Sequence, residues 1–461
     1  MSDQAIIRIA REIRQIQQGH DLSLAVACDE SDIRKIKALI VGPPNTPYEF
    51  GFFEFTIKFP EGEEWVCHSL WPCTYFLGDY PASPPKVTAR TTNSGRCRFN
   101  PNIYAGGKVC LTWPGQKGEE WSSAQGLESV LISIQSLMST NPYENEPGYE
   151  NRDSALDRKA MANYIDKIKH ETLRIAVIQP LEDALGIKTR NARAPSPTDD
   201  GKEADDSECP EEKVRETMES FDDLRKRRFL WYYESYIHTI EVESKKVKVN
   251  EQFKNMSFEG PSNEMAGSFK YPQLKERLGV IKDEIINETK RWAIEGLAAQ
   301  QQEVRIADNL HLQYKQIVED FKERKDFTVD LSLVDESPFV WLMTYFGRPM
   351  TNLGGGVFKI KIHLSTKFPD EQPRVFVETP IFHHRVSKDG VLCYFTDRPG
   401  ELRYHIDAIV QTLEEESPPF DPRTTVNLEA STLFWGTPED RKKYNRALRR
   451  SVENSTESQE M

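Results

Sequence analysis

The chain has 461 residues and a formal net charge of −13, with 60 Lys and Arg against 73 Asp and Glu, a length that suits two or three domains each burying its own core. The acidic balance excludes phosphate binding as the main activity, because nucleic-acid affinity comes from Lys and Arg neutralising phosphates; the basic run from Arg441 to Arg450 reads as a solvated helix face. Seven scattered cysteines without disulfide spacing, no leader pattern and no apolar run of bilayer length point to a reducing compartment, cytosol or nucleus, with neither nucleic acid nor membrane as partner.

Ile6, Ile9, Ile13 and Ile16 recur at three- and four-residue intervals and predict an amphipathic helix over 3–18, with Ser2 or Asp3 as N-cap and Gly19 as stop. Alternating Ile36, Ala38 and Ile40, the turn Gly42-Pro43-Pro44-Asn45-Thr46-Pro47-Tyr48, and alternating Phe53, Phe55, Ile57 and Phe59 predict neighbouring strands of an antiparallel meander. A further strand is expected over 86–90. Ser122, with Gln125 three residues on, predicts a capping box for a helix carrying Leu127, Val130, Leu131, Ile134, Leu137 and Met138 on one side. Helix, strands, loop and helix in that order make an α+β layer, with helices packed on one face of an antiparallel sheet.

Residues 188–215 differ in kind. Pro195, Pro197 and eight carboxylates between Asp199 and Glu212 leave too little apolar surface to order the segment. Helical patterning resumes from 216 to about 320, with the aromatic run Phe229-Leu230-Trp231-Tyr232-Tyr233 and a break at Gly260 to Gly267. The first pattern then restarts. Tyr314 to Phe321 reads as a short helix, and Phe358, Ile360, Ile362 and Leu364 alternate as a half-buried strand. Pro373-Arg374-Val375 corresponds to Pro85-Lys86-Val87, and Gly390-Val391-Leu392-Cys393 to Gly107-Lys108-Val109-Cys110, a diverged internal duplication. The expected organisation is a first domain over 1–187, an acidic loop over 188–215, a helical extension over 216–300 and a second, diverged domain over 301–455.

The most specific chemical signal is the run from Arg98 to Cys110. Asn102 lies eight residues before the thiol, across a Gly106-Gly107 turn, so the chain can curl back and set an amide against a sulfur ester. That is an acyl-transfer site without a base. The bland alternatives are a buried small hydrophobe for Cys110, a turn-former for Asn102 and a packing or capping residue for His170.

These motifs resemble the ubiquitin-conjugating enzyme family, in which a His-Pro-Asn tripeptide precedes the thioester-forming cysteine by the same interval. The resemblance rests on five runs in order: the turn ending at Tyr48, Tyr80-Pro81 with Ser83-Pro84-Pro85, Asn100-Pro101-Asn102, Trp121-Ser122-Ser123-Ala124-Gln125, and Asn141-Pro142-Tyr143. The Z type of the family is the nearest in pattern, through Phe99-Asn100-Pro101-Asn102, Asn145-Glu146-Pro147-Gly148-Tyr149, the run from His170 to Val177, Tyr232-Tyr233-Glu234-Ser235-Tyr236 and Leu278-Gly279-Val280-Ile281. It covers roughly residues 1–290. The resemblance implies that Cys110 accepts ubiquitin or a ubiquitin-like protein from an activating enzyme and passes it to an amine of a protein substrate or to a ligase, with no cofactor and no metal. It also implies that Asn102 stabilises the developing oxyanion or fixes the loop that does, and that Glu146 is an acidic gate that orients or deprotonates the amine. Asn100 replaces the usual His, Ser123 stands where many members have Pro, and the stretch from Cys110 to Trp121 is short for the Z type; acceptor choice is where these departures would tell.

Two features fall outside that pattern. Residues 61–79 insert Trp65, Cys67, Trp71, Cys73, Tyr75 and Phe76 where the fold has a short turn, and three readings stand open: a partner-docking loop, a zinc clip of Cys67, His68 and Cys73, or a retained intron. In the second copy the motif reads Phe382-His383-His384-Arg385 through Cys393, keeping the interval but losing Pro and Asn. A complete but non-catalytic domain is expected there, with Cys393 as its candidate thiol. The competing reading of the whole chain is a non-catalytic ubiquitin-binding or scaffold protein.

Overall fold

The structure is a computed structural model that describes residues 3–19, 21–29, 31–60, 65–66, 75–76, 80–111, 121–187, 221–260, 265–302, 304–325 and 327–457. The acidic segment 188–215 and the possible zinc ligands Cys67, His68 and Cys73 lie outside them. Two units emerge, Met1–Asp222 with Glu243–Leu274, and Asp223–Val242 with Lys275–Met461. The helical extension is therefore shared between the units. No helix among the described residues is long and apolar enough to cross a membrane.

In the first unit, helix α1 (Asp3–Gln18) precedes an antiparallel sheet of β1 (Leu24–Cys28), β2 (Lys35–Val41), β3 (Phe52–Lys58) and β6 (Lys86–Ala89), in that spatial order. Inside the insertion, β4 (Trp65–Val66) pairs with β5 (Tyr75–Phe76) as a separate ribbon. The register Ile36↔Ile57, Ala38↔Phe55, Ile40↔Phe53 stacks the alternating residues on one buried face. Against it pack Leu127, Val130, Leu131 and Ile134 of α2 (Leu127–Leu137) and Tyr164 and Ile168 of α3 (Ala155–Glu171). Beyond a π-helical stretch, Thr172–Ile178, the chain continues as α4 (Gln179–Leu185). Strand β1 was not expected: Leu24-Ala25-Val26-Ala27-Cys28 has no polar alternation to announce it.

Two expectations at the helix ends need correction. The buried side of α1 is Ala5, Ile9, Glu12 and Ile13, while Ile6 is exposed. Glu12 turns inward because its carboxylate caps α2: Oε2 accepts from the backbone N–H of Leu127 (3.0 Å) and from the Tyr80 hydroxyl (2.6 Å), and Oε1 from Arg8 Nε (2.7 Å). Accordingly α2 begins at Leu127 rather than beside Ser122, whose N–H donates to Gln125 Oε1 (3.0 Å) only to close a preceding turn. A carboxylate at a helix N-terminus satisfies an orphan donor and meets the favourable end of the macrodipole. Glu12→Ala strands two buried donors and is expected to lower stability by about 2 kcal/mol, read as a lower urea midpoint; Tyr80→Phe, which removes one contact, should cost less.

Between α5 (Asp222–Glu243) and α6 (Tyr271–Gln301) the described residues are non-helical, a stretch longer than the break expected at Gly260 to Gly267, and they fold onto the first unit. Lys167 Nζ pairs with Glu259 (2.5 Å). His170 is a packing residue, its ring set among Phe253, Phe269 and Tyr271. Its Nε2 accepts from the Lys270 N–H (3.0 Å), so Nδ1 carries the proton it donates to Glu171 (2.9 Å). Burial would raise the Glu171 carboxyl, yet donors from His170 and Arg174 hold it down at about 2.

The second unit repeats the plan. After α6 come α7 (Arg305–Arg324), the antiparallel sheet β7 (Val329–Leu333), β8 (Val340–Phe346), β9 (Val357–His363) and β10 (Arg374–Val377), then α8 (Leu402–Glu414), α9 (Leu428–Phe434) and α10 (Pro438–Glu457). Phe358, Ile360, Ile362 and Leu364 are all buried, in one core with Trp341, Ile406, Ile409 and Tyr444. The β2–β3 turn recurs between β8 and β9: a Cβ on Gly42 would lie 1.8 Å from the Tyr48 carbonyl oxygen, and one on Gly347 would lie 1.7 Å from that of Leu353.

Candidate active site

Residues 100–110 form a narrow hairpin laid along the edge of β6. The Cys110 N–H donates to the Asn102 carbonyl (2.8 Å), Tyr104 N to Lys108 O (2.9 Å) and Gly107 N to Tyr104 O (2.9 Å), while Ala89 N donates to Gly107 O (2.8 Å). Gly107 makes the return possible: its φ is +88°, and a Cβ there would sit 2.9 Å from the Ala89 oxygen. The eight-residue interval is thus the length that sets Cys110 opposite Asn102. Both residues are half-buried. Cys97 contrasts with Cys110, fully enclosed and with its thiol pushed up by burial.

Asn100 explains why the loop keeps its shape. Its amide nitrogen donates to Leu137 O (2.8 Å) at the end of α2 and to the Tyr48 hydroxyl (3.0 Å); its Oδ1 accepts from the Asn102 N–H (2.9 Å) and from Asn145 Nδ2 (3.3 Å). Tyr48 in turn donates to Phe99 O (2.7 Å). Two donors and a two-fold acceptor are what a side-chain amide supplies, so Asn100 ties the β2–β3 turn, α2 and the 141–146 loop to the hairpin.

Glu146, the expected acidic gate, is held by an ion pair. Its Oε2 accepts from Arg98 Nη2 at 3.2 Å, with Arg98 buried and Glu146 half-buried. Arg98 entered the sequence argument only as the first residue of the motif. The available signal was a guanidinium placed between two apolar residues, Cys97 and Phe99, where a cation is retained only when paired. Among the described residues no group of three or more His, Cys, Asp and Glu could hold a metal ion; the functional groups gathered here are a thiol, amides and a carboxylate.

The family model for the ubiquitin-conjugating enzyme matches residues 8–62, 70–172 and 311–399, more than half of the chain. The chain belongs to the ubiquitin-conjugating enzyme family. It is 36% identical to ubiquitin-conjugating enzyme E2 Z of Xenopus tropicalis over 295 residues, covering 64% of this chain and 76% of that one. It is 37% identical to the Homo sapiens protein of the same name over 284 residues, covering 61% of this chain and 64% of the human one. A solved Plasmodium yoelii structure assigned to the same family covers 38% of this chain and 97% of its own at 24% identity, with a TM-score of 0.28. The third matched stretch is the second copy, so the duplication read from the sequence is a second ubiquitin-conjugating-type domain.

That second domain reproduces the hairpin bond for bond. Cys393 N donates to Arg385 O (2.9 Å), Ser387 N to Val391 O (2.9 Å), Gly390 N to Ser387 O (2.9 Å) and Val377 N to Gly390 O (2.8 Å). The Arg385 N–H donates to His383 Nδ1 (3.1 Å), as Asn102 does to Asn100. The environment of the thiol is what differs. Cys393 is completely buried, and burial pushes its thiol up. Helix α5 contributes the covering aromatic: Trp231 Nε1 donates to Leu392 O (3.1 Å), its ring lies 5.3 Å from that of Phe395, and Arg228 stacks 4.8 Å above the indole. Trp231, from the aromatic run at 229–233, therefore packs beside the second hairpin.

Three imidazoles in this domain, His383, His384 and His405, are buried and held uncharged. Burial holds His383 down at about 3 and His405 at about 4, and His405 donates from Nε2 to Pro399 O (2.9 Å) while Nδ1 accepts from the Tyr394 hydroxyl (2.8 Å). Folded values below the unfolded value of about 6.5 mean that the unfolded chain takes up the protons first. This contribution is complete above about pH 6.5 and is lost as pH falls toward 4, by about 1 kcal/mol per pH unit for each residue. Unfolding midpoints measured from pH 7 to pH 5 should fall, and His405→Gln should flatten the slope.

Proposed function

We propose that this protein carries ubiquitin or a ubiquitin-like modifier as a thioester on Cys110 and transfers it to an amine of a protein substrate or to a ligase. The observation that carries this reading is a half-buried thiol held by its own N–H opposite Asn102, on a hairpin that Asn100 anchors at four points. The Cys110 thiolate attacks the thioester carbonyl of a modifier on its activating enzyme; the new C–S bond forms as the old one breaks and that enzyme's thiolate leaves. In the second step an amine attacks, the C–S bond breaks, an amide forms, and the amine proton passes to a base. Glu146 is the carboxylate proposed to receive or orient it. The Asn102 amide is proposed to face the oxyanion that develops as the amine attacks, a contribution worth roughly 10²–10³ in rate when such a donor is removed.

The second domain is proposed to be non-catalytic and to position a partner, because Cys393 is enclosed under α5 and Arg385 stands at the position of Asn102. The working compartment is proposed as cytosol or nucleus. The test is to incubate the full chain with activating enzyme, ATP and each member of a panel of ubiquitin-like modifiers. A single adduct of one modifier mass, released by a thiol reductant, is the expected result; failure of every modifier to charge the chain would remove the enzymatic reading in favour of a binding or scaffold protein.

A further inference from the structure

Arg98 touches three separate parts of the site. It is buried, and its Nη2 donates both to the Pro101 carbonyl (2.5 Å) and to Glu146 Oε2 (3.2 Å), while Nη1 donates to the Phe258 carbonyl (3.3 Å). The guanidinium also lies 4.4 Å from the centre of the Tyr104 ring and 5.9 Å from that of Phe258. Pro101 immediately precedes Asn102, and Tyr104 lies inside the hairpin, so one planar fork grips both the arm that carries the amide and the loop that carries the carboxylate. A guanidinium can hold these acceptors at fixed angles where an ammonium could satisfy them only as a point charge.

The third contact comes from a segment far away in sequence. Phe258 is seated by aromatic contacts with Tyr143, Tyr149 and Tyr164, at 5.6, 5.5 and 5.4 Å between ring centres, and the neighbouring Ser257 hydroxyl meets the Tyr149 hydroxyl at 2.6 Å. The backbone at 258 is thereby fixed to the loop after α2 before it meets Arg98.

We infer that Arg98 is a positioning residue for aminolysis: it fixes Glu146 and the Pro101-Asn102 arm relative to one another, and residues 256–259 of the extension set its geometry. This rests on the reading of Cys110 as the thioester residue. Charging exchanges one thiolate for another and takes no proton from the nucleophile, so it leans little on Glu146. Discharge to an amine requires the carboxylate and the amide together.

The experiment charges the full chain with ubiquitin, or whichever panel modifier charges the wild type, stops further charging, and follows discharge of the preformed thioester into free lysine over a range of lysine concentrations. Arg98→Gln is expected to slow the saturating discharge rate about tenfold, with the half-saturating lysine concentration unmoved and charging slowed no more than about twofold. Glu146→Gln should do the same, and the double variant should be no slower than either single one, because the two residues act as a unit. If Arg98→Gln does not fold, Arg98→Lys decides, since it keeps a cation beside Glu146 but loses the fork; slow discharge with near-normal charging is again expected. Discharge at the wild-type rate in the Arg variants, or a double variant about a hundredfold slower, would overturn the inference. Failure of the wild type to charge at all would instead refute the reading of Cys110.

Discussion

Cys110→Ala is expected to abolish the reductant-sensitive adduct completely, and Cys110→Ser to replace it with one that survives reductant. The argument is one of leaving groups and nucleophiles. A thiolate attacks an acyl carbon readily and departs readily, so the thioester forms without a base beside it. Serine at the same place presents a hydroxyl that is a far weaker nucleophile without an adjacent base, so charging should slow by at least a hundredfold. Whatever oxygen ester accumulates should persist, because alkoxide is a poor leaving group toward thiols and amines. Cys393→Ala should charge as the wild type does, since Cys393 is fully enclosed and its thiol is held protonated by burial. Mass spectrometry before and after reduction measures all three variants. A reductant-sensitive adduct that persists in Cys110→Ala, or that vanishes in Cys393→Ala, would relocate the chemistry to the second domain.

Features closed by local bonds were the ones readable in advance. The interval from Asn102 to Cys110 could be read as a hairpin because the Gly-Gly turn and the bonds from Cys110 N and Tyr104 N lie within eleven residues of one another. The alternation at Ile36 and at Phe358 gave the two sheets for the same reason, the pleat being a property of neighbouring residues. What escaped was held from a distance. The true cap of α2 is Glu12, 115 residues upstream of Leu127, and no local pattern could favour it over the Ser122 and Gln125 pair. The partner of Glu146 is Arg98, and Arg98 is itself oriented by Phe258, 160 residues away. Beside the buried Cys393, Trp231 of the preceding helix bonds the Leu392 carbonyl, although the hairpin itself was legible from the Gly390 to Cys393 spacing. The comparison of the two copies shows that hairpin geometry sets where a thiol sits, and the elements laid over it decide whether anything can reach it.

Among the contacts that join the segment between α5 and α6 to the first unit is the Lys167–Glu259 pair, and breaking that pair is expected to cost about 3–5 kcal/mol. Both side chains are essentially without solvent exposure, at 0% and 1%. Lys167 Nζ lies 2.5 and 2.6 Å from the two carboxylate oxygens and 3.3 Å from the Lys254 carbonyl, and Glu259 Oε2 also accepts the Met256 N–H at 2.7 Å. Neither charge has water to fall back on. Lys167→Met therefore leaves a buried carboxylate, and Glu259→Gln leaves a buried ammonium; each should unfold at markedly lower urea, with hydrogen exchange accelerated first across 254–259 and the facing turn of α3. The double change Lys167→Met with Glu259→Leu removes both charges together and should recover much of the loss, because desolvating a pair offsets most of its attraction. Unfolding at the wild-type urea midpoint in all three variants would mean that the segment is held by its aromatic contacts alone. The site should feel the difference too: with residues 254–259 loosened, Phe258 no longer fixes Arg98, so the single variants should discharge slowly to lysine at temperatures where they remain folded, and the double variant should discharge at close to the wild-type rate.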